Sequence, residues 1–277
     1  MIWKNKNIYK YIKSIIFYYK EREPLYKKMI DYSISEKINI IDIGSSDGEE
    51  SKYILKKFPS ISKIHLVEPD INNLSVVKKN ISKKFKEKIN YYNFGLSNKN
   101  YRGDFFVSNI NSNLNSIIKR DESFNKITTD FVDIKSFVEN NEICSPLLIM
   151  MDIEGQEVKV LEGLLPLLDK IKKMKILFEV HPPMYGENNS LEKILIKYFN
   201  KGYRTQLVES AGTPIPPKFK EHSMEPILIK GKRALYRNPQ NDFILKYACH
   251  PIISPINYEP WYDKKIIRSL LISSKYS

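Results

Sequence analysis

Five residues with chemistry of their own stand where short apolar runs of this 277-residue chain break off: Asp42, Glu68, Asp152, Glu179 and His181. The runs, rich in Ile, Leu and Met, have the pattern of strands buried on both faces of a parallel sheet. In such a sheet ligands collect outside the carboxyl ends of the strands, near the switch in strand order. The acids and the imidazole are therefore expected to converge on one crevice. Carboxylates grouped there suit a ligand carrying positive charge, and an imidazole is well matched to taking a hydroxyl proton near neutral pH.

The first run, Ile38 to Ile43, breaks into Gly44-Ser45-Ser46-Asp47-Gly48, and from Glu50 the apolar residues Tyr53, Ile54 and Phe58 return at helical spacing until Pro59. A helix N-terminus then points its free amides at the mouth of the turn, which suits a carboxylate or phosphate. A pyrophosphate would need Gly-x-Gly-x-x-Gly and would meet like charge from Asp42, Asp47, Glu49 and Glu50. That argues against a nicotinamide-dependent reductase. S-adenosylmethionine carries an ammonium and a sulfonium beside its carboxylate and matches this mixed charge. Asp42, Gly44, Ser45, Asp47, Gly48 and Ser51 are expected at its methionine end, Glu68 on its ribose hydroxyls, and Asp152 beside the sulfonium. Asn93 and Gly95 would border the adenine, the amide bonding the purine edge and the glycine letting the ring approach the backbone. His181 is expected to deprotonate or orient an acceptor, with Glu179 beside it. A divalent cation on Asp152, Glu179 and His181 is the alternative, disfavoured because magnesium and manganese prefer all-oxygen sites.

Taken in order along the chain, Asp42-Ile43-Gly44, Val67-Glu68-Pro69, Gly95-Leu96-Ser97-Asn98, Met151-Asp152-Ile153-Glu154-Gly155-Gln156-Glu157 with Val160-Leu161 and Gly163, and Phe178-Glu179-Val180-His181-Pro182 resemble the FkbM-type class I methyltransferases. The resemblance covers roughly residues 38 to 210, and Asp-x-Glu-Gly-x-Glu is its most specific part. It implies an α/β, Rossmann-like fold with a mostly parallel seven-stranded sheet, helices on both faces and an antiparallel strand at the C-terminal edge. It also implies S-adenosylmethionine as donor and, usually, a hydroxyl acceptor. The family's loop is commonly Gly-Ala-Asn-x-Gly, and Ser45-Ser46-Asp47-Gly48 departs from it while staying small and polar.

The elements that must position these residues can be read by period. Further strands are expected at Lys63 to Val67, Ile89 to Phe94, Phe105 to Val107, Ile127 to Ile134, Leu147 to Met151, Lys175 to Val180, Tyr203 to Val208, Pro226 to Ile229 and Ala234 to Tyr236. Helices are expected at Asn72 to Phe85, Asp133 to Asn140, Leu191 to Phe199 and, last, Lys264 to Ile272. Asn109 to Ser116 and Gly212 to Pro217 read as loops near the acceptor. Residues 1–37 form a helical extension, with Ile8, Ile12, Ile15 and Tyr19 on one stripe and Pro24 as a break. That helix would cap the sheet or the cofactor mouth, or lie on a membrane surface. Residues 38–237 are the expected methyltransferase domain and residues 238–277 a C-terminal extension that would pack on the sheet, extend over the site or mediate a homodimer.

The net charge of +13 sits mainly in the flanks. Residues 1–37 hold nine Lys/Arg against four Asp/Glu, residues 218–277 eleven against five, and the 180 residues between twenty-five against twenty-three. Such flanks could meet nucleic acid, and RNA methylation is the runner-up activity, but no RNA-binding module is recognisable. A small or carbohydrate acceptor is preferred, and a non-catalytic binding protein on the same sheet is the third reading. Cys144 and Cys249 are too few and too far apart for a disulfide framework or zinc ribbon. With no apolar run long enough to span a bilayer and no leader pattern, a cytoplasmic protein is expected.

Overall fold

The structure, a computed structural model, describes residues 18–34, 37–108, 115–117, 124–211, 217–250 and 266–275. In chain order the strands are β1 (Asn39–Ile43), β2 (Lys63–Val67), β3 (Ile89–Tyr92), β4 (Gly95–Ser97), β5 (Tyr101–Ser108), β6 (Phe124–Asp133), β7 (Leu147–Met151), β8 (Met174–Glu179), β9 (Arg204–Ser210), β10 (Pro226–Lys230), β11 (Arg233–Arg237) and β12 (Ile267–Ser273). The helices are α1 (Glu23–Ser33), α2 (Glu49–Lys57), α3 (Ile71–Asn80), α4 (Ile134–Asn140), α5 (Glu157–Leu164), α6 (Leu191–Asn200), α7 (Pro217–Glu221) and α8 (Asn241–Ala248).

Nine strands form the main sheet in the order β10-β11-β9-β12-β8-β7-β1-β2-β3, and β4-β6-β5 form a second, small sheet. From β3 to β8 all pairs are parallel. β1 sends the chain one way to β2 and the other way to β7, so the switch point lies between the ends carrying Asp42 and Asp152. Residues alternate between two cores. Ile41, Ile149 and Ile176 face a core closed by α4, α5, α6 and α8, while Ile40, Leu148 and Leu177 face one closed by α1, α2 and α3.

The structure corrects the sequence reading in three places. The main sheet has nine strands where seven were expected, because the hairpin β10–β11 continues it beyond β9. A helix is expected over residues 264–272, but Ile267–Ser273 form β12, which runs antiparallel between β8 and β9. Leu270 and Ile272 face one core and Leu271 the other, and an apolar run this short fits either period until its neighbours decide. The helix expected over Asn72 to Phe85 stops at Asn80, and a 3-10 turn over Lys83–Lys88 follows.

Both expected extensions contribute to the core. Leu25, Met29 and Ile30 of α1 are wholly buried, and Pro24 stands in the first turn of α1, where its missing N–H costs nothing. Ile8, Ile12 and Ile15 of the N-terminal stripe, most of the Asn109 to Ser116 loop and residues 212–216 of the Gly212 to Pro217 loop lie outside the described residues. Of these loops Ser116 bridges to Phe106, and Asn115 accepts from the Ser108 amide at 2.8 Å. No helix among the described residues is long and apolar enough to cross a membrane.

Candidate active site

The turn after β1 is shaped by two glycines at φ +77°. A Cβ on Gly44 would stand 2.6 Å from Ile153 Cγ2 and 2.8 Å from the Asp152 carbonyl oxygen, so the loops after β1 and β7 touch because this residue has no side chain. A Cβ on Gly48 would stand 2.8 Å from Val77 Cγ1. Between them Ser45 Oγ is buried without a hydrogen-bond partner. Asp47 is exposed and accepts from the Glu49 amide at the start of α2. Asp42 is buried and accepts from Ser51 Oγ at 2.6 Å. Burial pushes the Asp42 carboxyl up to about 6 against that bond. Burial and the Asp42 charge push Glu50 up to about 7.

Glu68, at the end of β2, accepts from the amides of Ser46 (3.1 Å) and Asp70 (2.9 Å). Even so, burial raises its carboxyl to about 8. Asn93 does not hold its amide group free for a purine: Nδ2 donates to the carbonyls of Glu68 and Pro69 at 3.0 and 2.9 Å and ties down the turn that carries Glu68. Gly95 is likewise spent on packing, since a Cβ there would lie 2.5 Å from the Phe131 ring.

The densest chemistry lies at the ends of β7 and β8. His181, 3% exposed, has Nδ1 2.9 Å from Glu157 Oε1, while Nε2 faces Glu154 Oε2 at 3.3 Å and Asp152 Oδ1 and Glu179 Oε1 at 3.6 Å. Glu157 is fully buried, accepts from the Gly155 amide (3.0 Å) and from Tyr185 OH (3.2 Å), and Tyr185 in turn accepts from the His181 amide. Burial works to raise the Glu157 carboxyl, but the His181 charge and these hydrogen bonds outweigh it and hold the group below its usual range.

Two arginines enter from distant parts of the chain. Arg22, just before α1, donates to Asp152 Oδ2 (2.9 Å) and Glu179 Oε2 (2.7 Å). Arg268 donates to Glu179 at 2.9 Å. It is the extra residue of a β-bulge, since Ile267 and Ser269 pair with the consecutive residues Ser210 and Glu209, and the bulge turns its side chain toward the site. Burial and the neighbouring Glu179 charge still raise the Asp152 carboxyl, opposed by Arg22. Among the described residues Asp152, Glu154 and His181 each offer an atom within 4.8 Å of the others and could hold a divalent cation. Glu179, expected in such a set, is engaged by both arginines.

The crevice thus gathers Asp42, Ser51, Glu68, Asp152, Glu179 and His181, and leaves Asp47, Asn93 and Gly95 in supporting roles. Sequence reasoning missed Arg22, Arg268 and Tyr185, and gave no role to Glu154 and Glu157, although the Asp-x-Glu-Gly-x-Glu spacing contained both. The acids beside the glycine turn, raised chiefly by burial, and the orphaned Ser45 hydroxyl fit a ligand that brings both cations and acceptors to this loop.

A parallel sheet with a glycine turn and acids at its switch point is the framework of a class I methyltransferase. The methyltransferase FkbM domain matches residues 42–205, more than half of the chain, and the chain belongs to that family, whose methyl donor is S-adenosylmethionine. The match to the FkbM methyltransferase structure from Methylobacillus flagellatus KT has 22% identity over 53% of this chain and a TM-score of 0.36, and spans only 33% of that protein. The precorrin-6y C5,15-methyltransferase of Geobacter metallireducens matches with 9% identity over 87% of this chain and 81% of its own, at a TM-score of 0.39. A Streptococcus thermophilus rRNA methylase matches with 10% identity over 76% and 91%, at 0.36. No curated protein matches.

Proposed function

We propose that the chain transfers a methyl group from S-adenosylmethionine to a hydroxyl of a sugar or other small hydroxylated acceptor. The observation that carries this reading is the buried Glu157–His181 pair with Nε2 facing Glu154, Asp152 and Glu179. The bound donor supplies an electrophilic methyl on a sulfonium, so the protein has to align an acceptor and remove one proton. With its Nδ1 proton held by Glu157, the neutral His181 ring would present the Nε2 lone pair to the acceptor, the tautomer a base requires. A hydroxyl at hydrogen-bond distance from Nε2 would surrender its proton there, and Asp152, Glu154 and Glu179 would stabilise the imidazolium that forms. Asp42 and Glu50 would face the donor's ammonium and Glu68 its ribose.

The test is production of S-adenosylhomocysteine by the purified chain with S-adenosylmethionine and a panel of sugars and small alcohols, alongside calorimetry of donor binding. Donor-dependent methylation of a hydroxyl, with donor affinity weakened in Asp152→Asn, is expected. Methylation confined to nitrogen or carbon acceptors, or to RNA with a steep salt dependence, would overturn the acceptor assignment.

A further inference from the structure

The end of the main sheet opposite the methyl-transfer crevice carries a second arrangement that the reaction does not use. A cleft of about 240 Å³ opens there, lined by Tyr32, Lys175, Gln206, Arg237, Asn238 and Ser273 among others. Lys175 and Ser273 are register partners at the open ends of β8 and β12, so their side chains leave the same face of the sheet. Gln206 is the extra residue of a β-bulge in β9, because Leu271 and Ile272 pair with Leu207 and Thr205. Its carbonyl accepts from the Asn238 amide at 3.0 Å, which fixes the chain just beyond Arg237.

Neither cation in the cleft is neutralised. Lys175 donates to the Tyr32 carbonyl at 3.4 Å. Arg237 donates to the Tyr32 hydroxyl and lies over its ring, 4.8 Å from the centroid. Among the described residues neither has a carboxylate partner. Lys28 Nζ also stands over the Tyr32 ring, 5.3 Å from its centroid. Ser273 is 1% exposed, yet its hydroxyl has no hydrogen-bond partner. An unpaired buried hydroxyl and a half-buried ammonium each carry a desolvation cost that an oxyanion would remove, and burial lowers the Lys175 amine accordingly.

We propose that this cleft is a binding site for a phosphate group, held by Lys175 and Arg237 with Ser273 as a hydrogen-bond donor. Arg presents a fork of donors and Lys a point charge, the pair of chemistries most often set against phosphate. The phosphate could belong to a free small molecule or to a lipid headgroup, and the two differ in how they are presented.

The experiment titrates the full chain with inorganic phosphate, with glycerol phosphate and with phosphatidylcholine vesicles carrying phosphatidic acid. Calorimetry reads the soluble probes and co-sedimentation the vesicles. Saturable binding of at least one probe is expected, weakened at least about tenfold in the Lys175→Met/Arg237→Gln double variant. A control that removes two exposed charges elsewhere, Lys56→Met/Lys79→Met, is expected to bind as the parent does. Binding of soluble phosphates alone assigns a free ligand, and binding of vesicles alone assigns a headgroup. Ser273→Ala changes no charge, so it should fold normally. It is expected to raise the ligand-free melting temperature, because an unsatisfied hydroxyl is removed, while lowering phosphate affinity. The proposal is overturned if no probe binds saturably, if the double variant binds as tightly as the parent, or if the control loses as much affinity as the double variant.

Discussion

At the carboxyl ends of β7 and β8 the two arginines that enter the site are held by carboxylates, Arg22 by Asp152 and Glu179 and Arg268 by Glu179. At the opposite end of the main sheet Lys175 of β8 and Arg237 of β11 lean on a tyrosine instead. Each end is re-aimed by a β-bulge, at Arg268 in β12 and at Gln206 in β9. The difference lies in what removal of a charge leaves behind. In the acidic crevice loss of an arginine strands a buried carboxylate, whereas in the basic cleft loss of Lys175 or Arg237 strands no opposite charge. One end is committed to its internal network, and the other keeps its charge available.

Five measurements probe that contrast. The largest effect is expected from His181→Ala, which should lower turnover by about 100-fold or more while donor affinity stays close to that of the parent. Equal turnover across the pH range would remove the base role. Next, Arg22→Ala leaves Asp152 and Glu179 facing each other without their shared cation, and should cost about 2–3 kcal/mol in urea unfolding. A midpoint unchanged from the parent would mean that Arg268 alone suffices.

The third measurement is pH dependence of the ligand-free chain. Burial raises Asp42 to about 6, Glu50 to about 7 and Glu68 to about 8. A carboxyl raised on folding contributes stability that is complete below its unfolded value, near 4, and is lost as pH rises through its folded value. The melting temperature should therefore fall between about pH 5 and 8, and affinity for the cationic donor should rise over the same window as these groups ionise. A melting temperature that climbs through that window would contradict the assigned burial. The smallest effect belongs to the basic cleft: Lys175→Met should change ligand-free stability by no more than about 0.5 kcal/mol, and a larger loss would reveal a partner for its ammonium. Chelation is expected to leave turnover unaltered, and a chelator-sensitive enzyme would recast Asp152, Glu154 and His181 as metal ligands.

What the sequence disclosed was local. β1, β2, β7 and β8 follow from short apolar runs, and their terminal acids follow from position, so Asp42, Glu68, Asp152, Glu179 and His181 could be placed in one crevice without coordinates. What it concealed depends on distance along the chain. Arg22 meets partners 130 and 157 residues away, and Arg268 meets Glu179 across 89 residues, so no spacing rule links them. β12 was hidden for a related reason. Seven residues containing Arg268 and Ser269 carry too little period to separate strand from helix, and only the open edges of β8 and β9 decide. Asn93 and Gly95 were located at the correct strand end, but neighbouring groups that no local pattern names, the Glu68–Pro69 carbonyls and the Phe131 ring, claim them.

The position of β12 also sets an order of events during synthesis. β9 ends at Ser210 and β12 begins at Ile267, so a nascent chain carries β8 and β9 for some time before the strand that must lie between them has been made. During that interval both strands present unpaired edges, the kind of surface that recruits other chains. Folding of the sheet cannot finish by simple addition from the N-terminus. A ribosome paused shortly before Ile267 would hold a protein that already has its glycine turn and His181 but lacks Arg268, the second cation on Glu179.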